Sequence, residues 1–398
     1  MPEIAEVARI VHFLRLHLVG KKIQTASAID DANVFGKVGT SGAAVEAALK
    51  EKRVLSAGSQ GKYFWITLDK PPHLVMHFGM TGWVHIRGAK TAYTNYYKTL
   101  KDKDGAQWPP KFWKFHFTTD DDPAVEVAFT DARRFGRVRL VDCPGADIRA
   151  CSPLKENGPD PVIDTDRFTE HYLRGKMTAR HVPIKALLLD QTTISGIGNW
   201  VADETLYQAR LHPEQYSDTF SDVEIQRLYE AIRYVCQLAV DKLGDSDEFP
   251  SHWLFNYRWG KGDKGAANKL PNGEKISFIT VGGRTSCFAP GVQKKTGQVV
   301  PVKAEHEGSE KEGGEEEEEG EAAADETVGV EKKSTAAKRR RTQSKKVDGP
   351  DLNESLVKKT RTSKVQSKTT EPKLKPEAKA DAETASNLGR RRSARLRK

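Results

Sequence analysis

The 398-residue sequence predicts an α+β protein: a β-sandwich domain opened by an N-terminal helix, then a mainly helical domain, then a long charged tail. Three observations lead there. Helical spacing at the start gives way to short alternating stretches as far as about residue 145, and longer segments of helical period follow. All Trp, Tyr and Phe residues lie before residue 300.

From Ile4 the apolar residues fall at Ile4, Val7, Val11, Leu14 and Leu18, a stripe of about four helical turns that Gly20 ends. Eight β-rich stretches follow: KIQTASAI, KRVLSAG, KYFWITL, HLVMHF, WVHIRG, KFHFTT, AVEVAFT and RVRLVD, with turn residues between them. Around Gly158-Pro159-Asp160-Pro161 the pattern changes, and helices are predicted near 166–174, 183–191, 199–210 and 220–242. ISFIT followed by VGGRTS reads as a hairpin with Arg284 near its tip. Beyond residue 300 an acidic block, EEEEEGE, precedes basic clusters, with too little apolar content to offset the entropy of ordering. The expected divisions are 1–150, 151–248, 249–298 and a disordered 299–398.

A net charge of +9 favours an anionic partner, and no apolar run is long enough for a membrane span. MPEIAEVARI lacks the basic and apolar regions of a signal peptide. Cys143, Cys151, Cys236 and Cys287 form no CxxC pair, so neither a disulfide framework nor a metal site is expected, which fits a reducing interior. No cofactor is expected.

Several residues could carry chemistry. Removal of Met1 would expose Pro2, whose secondary amine can attack an aldehyde-level carbon and form an iminium. Glu3 beside it could move protons. Pro and Glu there are also ordinary helix-start residues. Lys62, in the run QGKYFW, is either a solvated strand-end charge or a second active-site cation. Met80, between two glycines, and Arg133 and Phe135, after a strand, suit loops that wedge into a base stack; core packing and surface charge are the plain alternatives. Gly196-Ile197-Gly198-Asn199 lies between two helices, where outward backbone N–H groups could bind phosphate, or where Asn199 could simply cap a helix.

Together these residues resemble the formamidopyrimidine-DNA glycosylase (Fpg/Nei) family. The family start MPELPEVE is met here as MPEIAEVA, HLGMSG as HFGMTG, DPRRFG as DARRFG and GPEPL as GPDPV. The helix-two-turns-helix signature is met as IKALLLDQTTISGIGNWVADETLYQARLHPE, and the resemblance runs from residue 1 to about 295. It implies catalysis by Pro2, Glu3 and Lys62, a lesion-related Glu6, void filling by Met80, Arg133 and Phe135, and phosphate contacts from Lys185, Gly198, Asn199 and Arg284. The implied reaction is excision of oxidised or ring-opened purines and hydantoins from duplex DNA through a Pro2 Schiff base. Strand cutting by β,δ-elimination follows.

Two departures narrow this. Most members carry a zinc finger with two CxxC pairs; here the later positions fall on Ala289 and Val292, Cys287 is out of register, and WGKGDKGAANKLPNG has no Cys. Zinc needs four such ligands, so 249–298 resembles the zincless finger of the plant and fungal branch. The stretch between Leu243 and Trp259 is also shorter than the loop that caps 8-oxoguanine in bacterial members. An endonuclease VIII-like pyrimidine glycosylase and a non-catalytic chromatin-binding protein are the alternatives. KKSTAAKRRRTQSKK (332–346) and RRRSARLRK (390–398) read as nuclear import signals, so a nuclear monomer acting on damaged double-stranded DNA is expected.

Overall fold

The computed structural model describes residues 2–92, 107–261 and 269–297. The expected disorder and import signals of 299–398 lie outside the described residues.

The apolar stripe of the first segment forms α1 (Ile4–Leu18). Its Glu6 side chain reaches back to the Glu3 backbone N–H at 2.8 Å, closing the first turn. Eight strands follow: β1 (Ile23–Ala28), β2 (Val54–Gln60), β3 (Tyr63–Leu68), β4 (His73–His77), β5 (Trp83–Ile86), β6 (Trp113–Thr119), β7 (Glu126–Thr130) and β8 (Arg137–Val141). They form two four-stranded antiparallel sheets, ordered β1-β6-β7-β5 and β2-β3-β4-β8. Alternation decides which side chains turn inward. In β6, Phe115 and Phe117 are buried while His116 and Thr118 are not. Phe64, Phe78 and Phe129 stack with them, and Met76 and Trp83 complete the core.

One helix within this β-rich region was not expected. α2 (Gly42–Leu49) begins where Ser41 accepts a hydrogen bond from the Ala44 N–H, so an N-cap and an alanine-rich turn prevail over the surrounding strand pattern.

Beyond residue 150 come α3 (Glu170–Thr178), α4 (Ile184–Leu189), α5 (Asn199–Ala209) and α6 (Asp222–Asp241). α3 starts later than the pattern predicts because Thr169 caps it, accepting from the Tyr172 N–H. The hairpin of β9 (Ser277–Val281) and β10 (Arg284–Phe288) turns through Gly282-Gly283.

α1 serves two cores. Val7, Ile10, Val11, Leu14 and Leu18 pack into the sandwich. Ile4 and Ala5 pack with Leu187, Ile197, Trp200 and Val235 of the helical region. The N-terminus is therefore held where the two cores meet.

Candidate active site

Pro2 and Glu3 are both buried. The Glu3 carboxylate accepts three backbone N–H bonds from the start of α5: Gly198 at 2.8 Å, Trp200 at 3.0 Å and Val201 at 3.1 Å. An anionic group at a helix N-terminus is favoured by the unsatisfied amides and the dipole there. Gly198 permits the approach: a Cβ at that position would stand 2.2 Å from the Glu3 carboxyl carbon. Alongside, the Ile4 N–H donates to the Gly196 carbonyl at 3.1 Å.

Lys62 sits in the two-residue turn joining β2 to β3, where Gln60 pairs with Tyr63. Its neighbour Gly61 has φ +58°, and a Cβ on it would lie 2.5 Å from Ser195 Cβ and 2.6 Å from Gly196 N. Only glycine suits both demands. The Gly61 N–H donates to the buried Asp160 carboxylate at 2.8 Å. Asp164 in turn receives the Asp160 N–H at 2.9 Å and both oxygens bind Arg149 at 2.7 Å, while Arg149 reaches Gln60 at 3.0 Å. A carboxylate relay thus ties the Lys62 turn to the helical region beside Glu3.

Burial and the nearby Glu3 charge push the Glu6 carboxyl up to about 7, despite hydrogen bonds from the Glu3 and Glu6 amides. Near neutral pH this limits the negative charge beside Pro2.

The predicted wedge residues lie on two adjoining loops. Met80 is half-buried; Arg133 and Phe135 are exposed, with the Arg133 guanidinium 5.2 Å from the Phe135 ring centre. Asp131 joins the loops: one oxygen accepts from Thr81 Oγ1 at 2.6 Å and the other from the Gly136 N–H at 2.6 Å. Arg134, at φ +61°, turns away to chelate Asp31, which also binds Lys114 at 2.9 Å. Arg133 and Phe135 are left facing solvent. His77 connects this loop to Lys62. Burial, then the Lys62, Arg137 and Arg139 charges, push His77 down to about 3, so the ring is neutral and its Nδ1 accepts the Gly79 N–H at 2.9 Å.

Two residues expected to contact phosphate have partners within the protein. Lys185 has a fully buried side chain, and its Nζ binds Asp203 at 2.6 Å and the Thr285 carbonyl at 3.2 Å. Its ammonium is engaged inside the protein, between Asp203 and the hairpin backbone. The Gly198 amide is likewise taken by Glu3, so this helix terminus already holds its anion. Asn199 bridges to the hairpin, donating to the Thr285 carbonyl at 3.0 Å. Arg284 opens β10 at the hairpin turn and is half-buried.

What pins the hairpin was not foreseen. Asp203 takes Lys185 on one oxygen and, on the other, Arg258 at 2.7 Å and the Cys287 N–H at 3.0 Å. A small apolar cluster of Leu254, Leu270, Ile276, Cys287 and Ala289 lies beside it. Among the described residues no group of three or more His, Cys, Asp or Glu could hold a metal ion. Asp203 lies in the quoted run WVADE, yet its three partners come from the preceding helix, the segment after α6 and the hairpin. The short segment after α6 folds down onto α5, with Phe249 and Phe255 packed around Trp200.

Residues 1–138 match the family model of the formamidopyrimidine-DNA glycosylase N-terminal domain, and residues 157–250 match that of its H2TH domain. A formamidopyrimidine-DNA glycosylase of Arabidopsis thaliana is 38% identical over 323 residues, covering 79% of this chain and 78% of that protein. One from Pelotomaculum thermopropionicum is 31% identical over 308 residues, covering 74% and 99%. The Lactococcus lactis enzyme bound non-covalently to DNA with an AP site superposes with a TM-score of 0.59 at 25% identity, over 74% of this chain and 100% of that one. With the Glu3–α5 junction and the helix-two-turns-helix segment in place, the chain belongs to the formamidopyrimidine-DNA glycosylase family.

Proposed function

We infer that this protein is a bifunctional DNA glycosylase and AP lyase of base-excision repair that acts on oxidised or ring-opened purines and hydantoins in duplex DNA. The observation that carries the reading is the Glu3 carboxylate held by the three α5 amides, because it places the adjoining Pro2 where the sandwich and helical cores meet.

Met80, Arg133 and Phe135 enter the base stack, and the damaged nucleotide turns out. The Pro2 amine attacks C1′ of its sugar, and the C1′–N bond to the base breaks. The partial positive charge at the α1 terminus disfavours protonation of that amine. The Glu3 carboxylate takes the proton that the amine releases and passes it to the ring oxygen, the sugar opens, and an iminium joins Pro2 to C1′. That cation acidifies the neighbouring carbon; loss of its proton expels the 3′-phosphate, and a second elimination expels the 5′-phosphate. Lys62 supplies a cation beside the reacting sugar, while Asn199 and Arg284 take the backbone.

The stacked Arg133–Phe135 pair supports a purine preference over the pyrimidine alternative. The basic runs at 332–346 and 390–398 support nuclear import, and action as a monomer is part of the proposal. Borohydride reduction during reaction with an abasic-site duplex should yield a covalent protein–DNA adduct. No adduct with the untagged chain, or an equal yield when an N-terminal tag covers Pro2, overturns the mechanism.

A further inference from the structure

Trp259 is 62% exposed, third among the large apolar side chains of the described residues after Val223 at 66% and Leu16 at 65%, which are aliphatics on helix surfaces. Unlike them it is fixed in place. The Arg258 guanidinium lies over the indole, 4.5 Å from its centre. Arg258 itself is buried and bound to Asp203 at 2.7 Å. Phe255 meets Trp259 edge-on, with ring centres 5.4 Å apart and planes at 80°. The ring is thus backed on one face, steadied at its edge, and open to solvent elsewhere.

Its surroundings lead to the active site. Phe255 packs against Trp200 at 4.9 Å, and the Trp200 N–H binds Glu3. Two residues on from Trp259, Lys261 Nζ reaches Thr285 Oγ1 at 3.3 Å, on the residue whose carbonyl Asn199 grips. A flat aromatic surface with a cation behind it and another beside it suits a nucleobase attached to phosphate. Every base has a π-face, and the charges complement the backbone.

We propose that Trp259 is a stacking platform for the base turned out of the duplex, and so a lesion-contacting residue of this enzyme. The proposal rests on the glycosylase reading above. It deepens that reading by separating the steps: the platform matters while a base is attached to the sugar, and has nothing to hold at a preformed abasic site. The ring of Trp259 lies outside the apolar core, so its replacement leaves no internal void.

The test uses the full chain with Trp259→Leu and Trp259→Phe, under single turnover, on matched duplexes carrying either ring-opened guanine or an abasic site. Trp259→Leu should slow base release about tenfold or more, from the typical contribution of one stacked base. Strand cutting at the abasic site should stay within about twofold, and Trp259→Phe should keep most of the base-release rate. Equal losses on both substrates, no loss on either, or equal behaviour of Leu and Phe would overturn the platform. If Trp259→Leu does not fold, the Phe variant and Trp259→His decide alone: flat rings that fail to sustain base release while melting like the parent overturn it too. Failure of the unsubstituted chain on both duplexes would instead refute the glycosylase reading.

Discussion

Gly198 and Glu3, 195 residues apart in sequence, meet at 2.8 Å from amide to carboxylate, with no room for a methyl group between them. Gly198→Ala should therefore push the Glu3 side chain off the α5 amides and carry Pro2 with it. Misplacement of about 1 Å costs on the order of 100-fold in rate. The measurement is the rate of borohydride-trapped adduct on an abasic duplex, with circular dichroism showing that the fold persists; a rate near that of the parent would disprove the steric argument.

Lys185 and Arg284 are separated by the salt dependence of binding. Arg284→Ala should lower the slope of log affinity against log salt by about 1, as expected for one lost phosphate contact. Lys185→Met should leave the slope alone. It should cost about 3–5 kcal/mol of stability, because Asp203 loses one of two buried cationic partners. Denaturant unfolding and salt-titrated binding on the same duplex read both quantities.

Glu204 links stability to pH. Burial pushes its carboxyl from an ordinary 4.5 up to about 7, against hydrogen bonds from Gln208 and the Phe255 N–H. The fold prefers the neutral acid. Its stabilisation relative to the unfolded chain is complete below about pH 4.5 and is lost as pH rises through about 7. Glu204→Gln should therefore gain on the parent by about 3 kcal/mol above pH 8 and match it near pH 4, the Gln208 amide turning over to face the new side chain. Glu6, raised to the same range, should leave a second, similar slope in the variant. A flat difference between the two proteins across pH 4–8 would contradict the assignment.

Removal of residues 300–398 should leave base release and strand cutting on short oligonucleotides within about twofold, while weakening salt-sensitive binding to long DNA. A collapse of activity on short duplexes would make the tail part of the enzyme.

Where a residue's role depends on local pattern, the sequence was legible. All eight β-rich stretches became strands because side-chain alternation and turn residues are both local. Pro2, Glu3, Lys62, Met80, Arg133 and Phe135 could be named because each lies in a short run with its own chemistry. Roles that depend on what folds against a residue were hidden. Lys185 stands in the helix-two-turns-helix signature and reads as a DNA contact, yet Asp203 from the next helix neutralises it. Gly198 reads as a phosphate cradle until Glu3, almost 200 positions earlier, fills the place. His77, Asp160 and Arg149 give no sign in sequence that they bracket the Lys62 turn. Ser41 did offer a local signal for α2, an N-cap before alanines, and the strands around it obscured it.

Asp203 also determines what the hairpin withstands. Fingers built on thiolates depend on a bound ion and on keeping those thiolates reduced. Here the junction is a carboxylate between two cations, and the nearby Cys287 is buried with its thiol pushed up to about 12. Chelators have no ion to strip from this junction, and peroxides have no thiolate to attack. The hairpin junction therefore presents no thiolate to the oxidants that modify a thiolate-based finger.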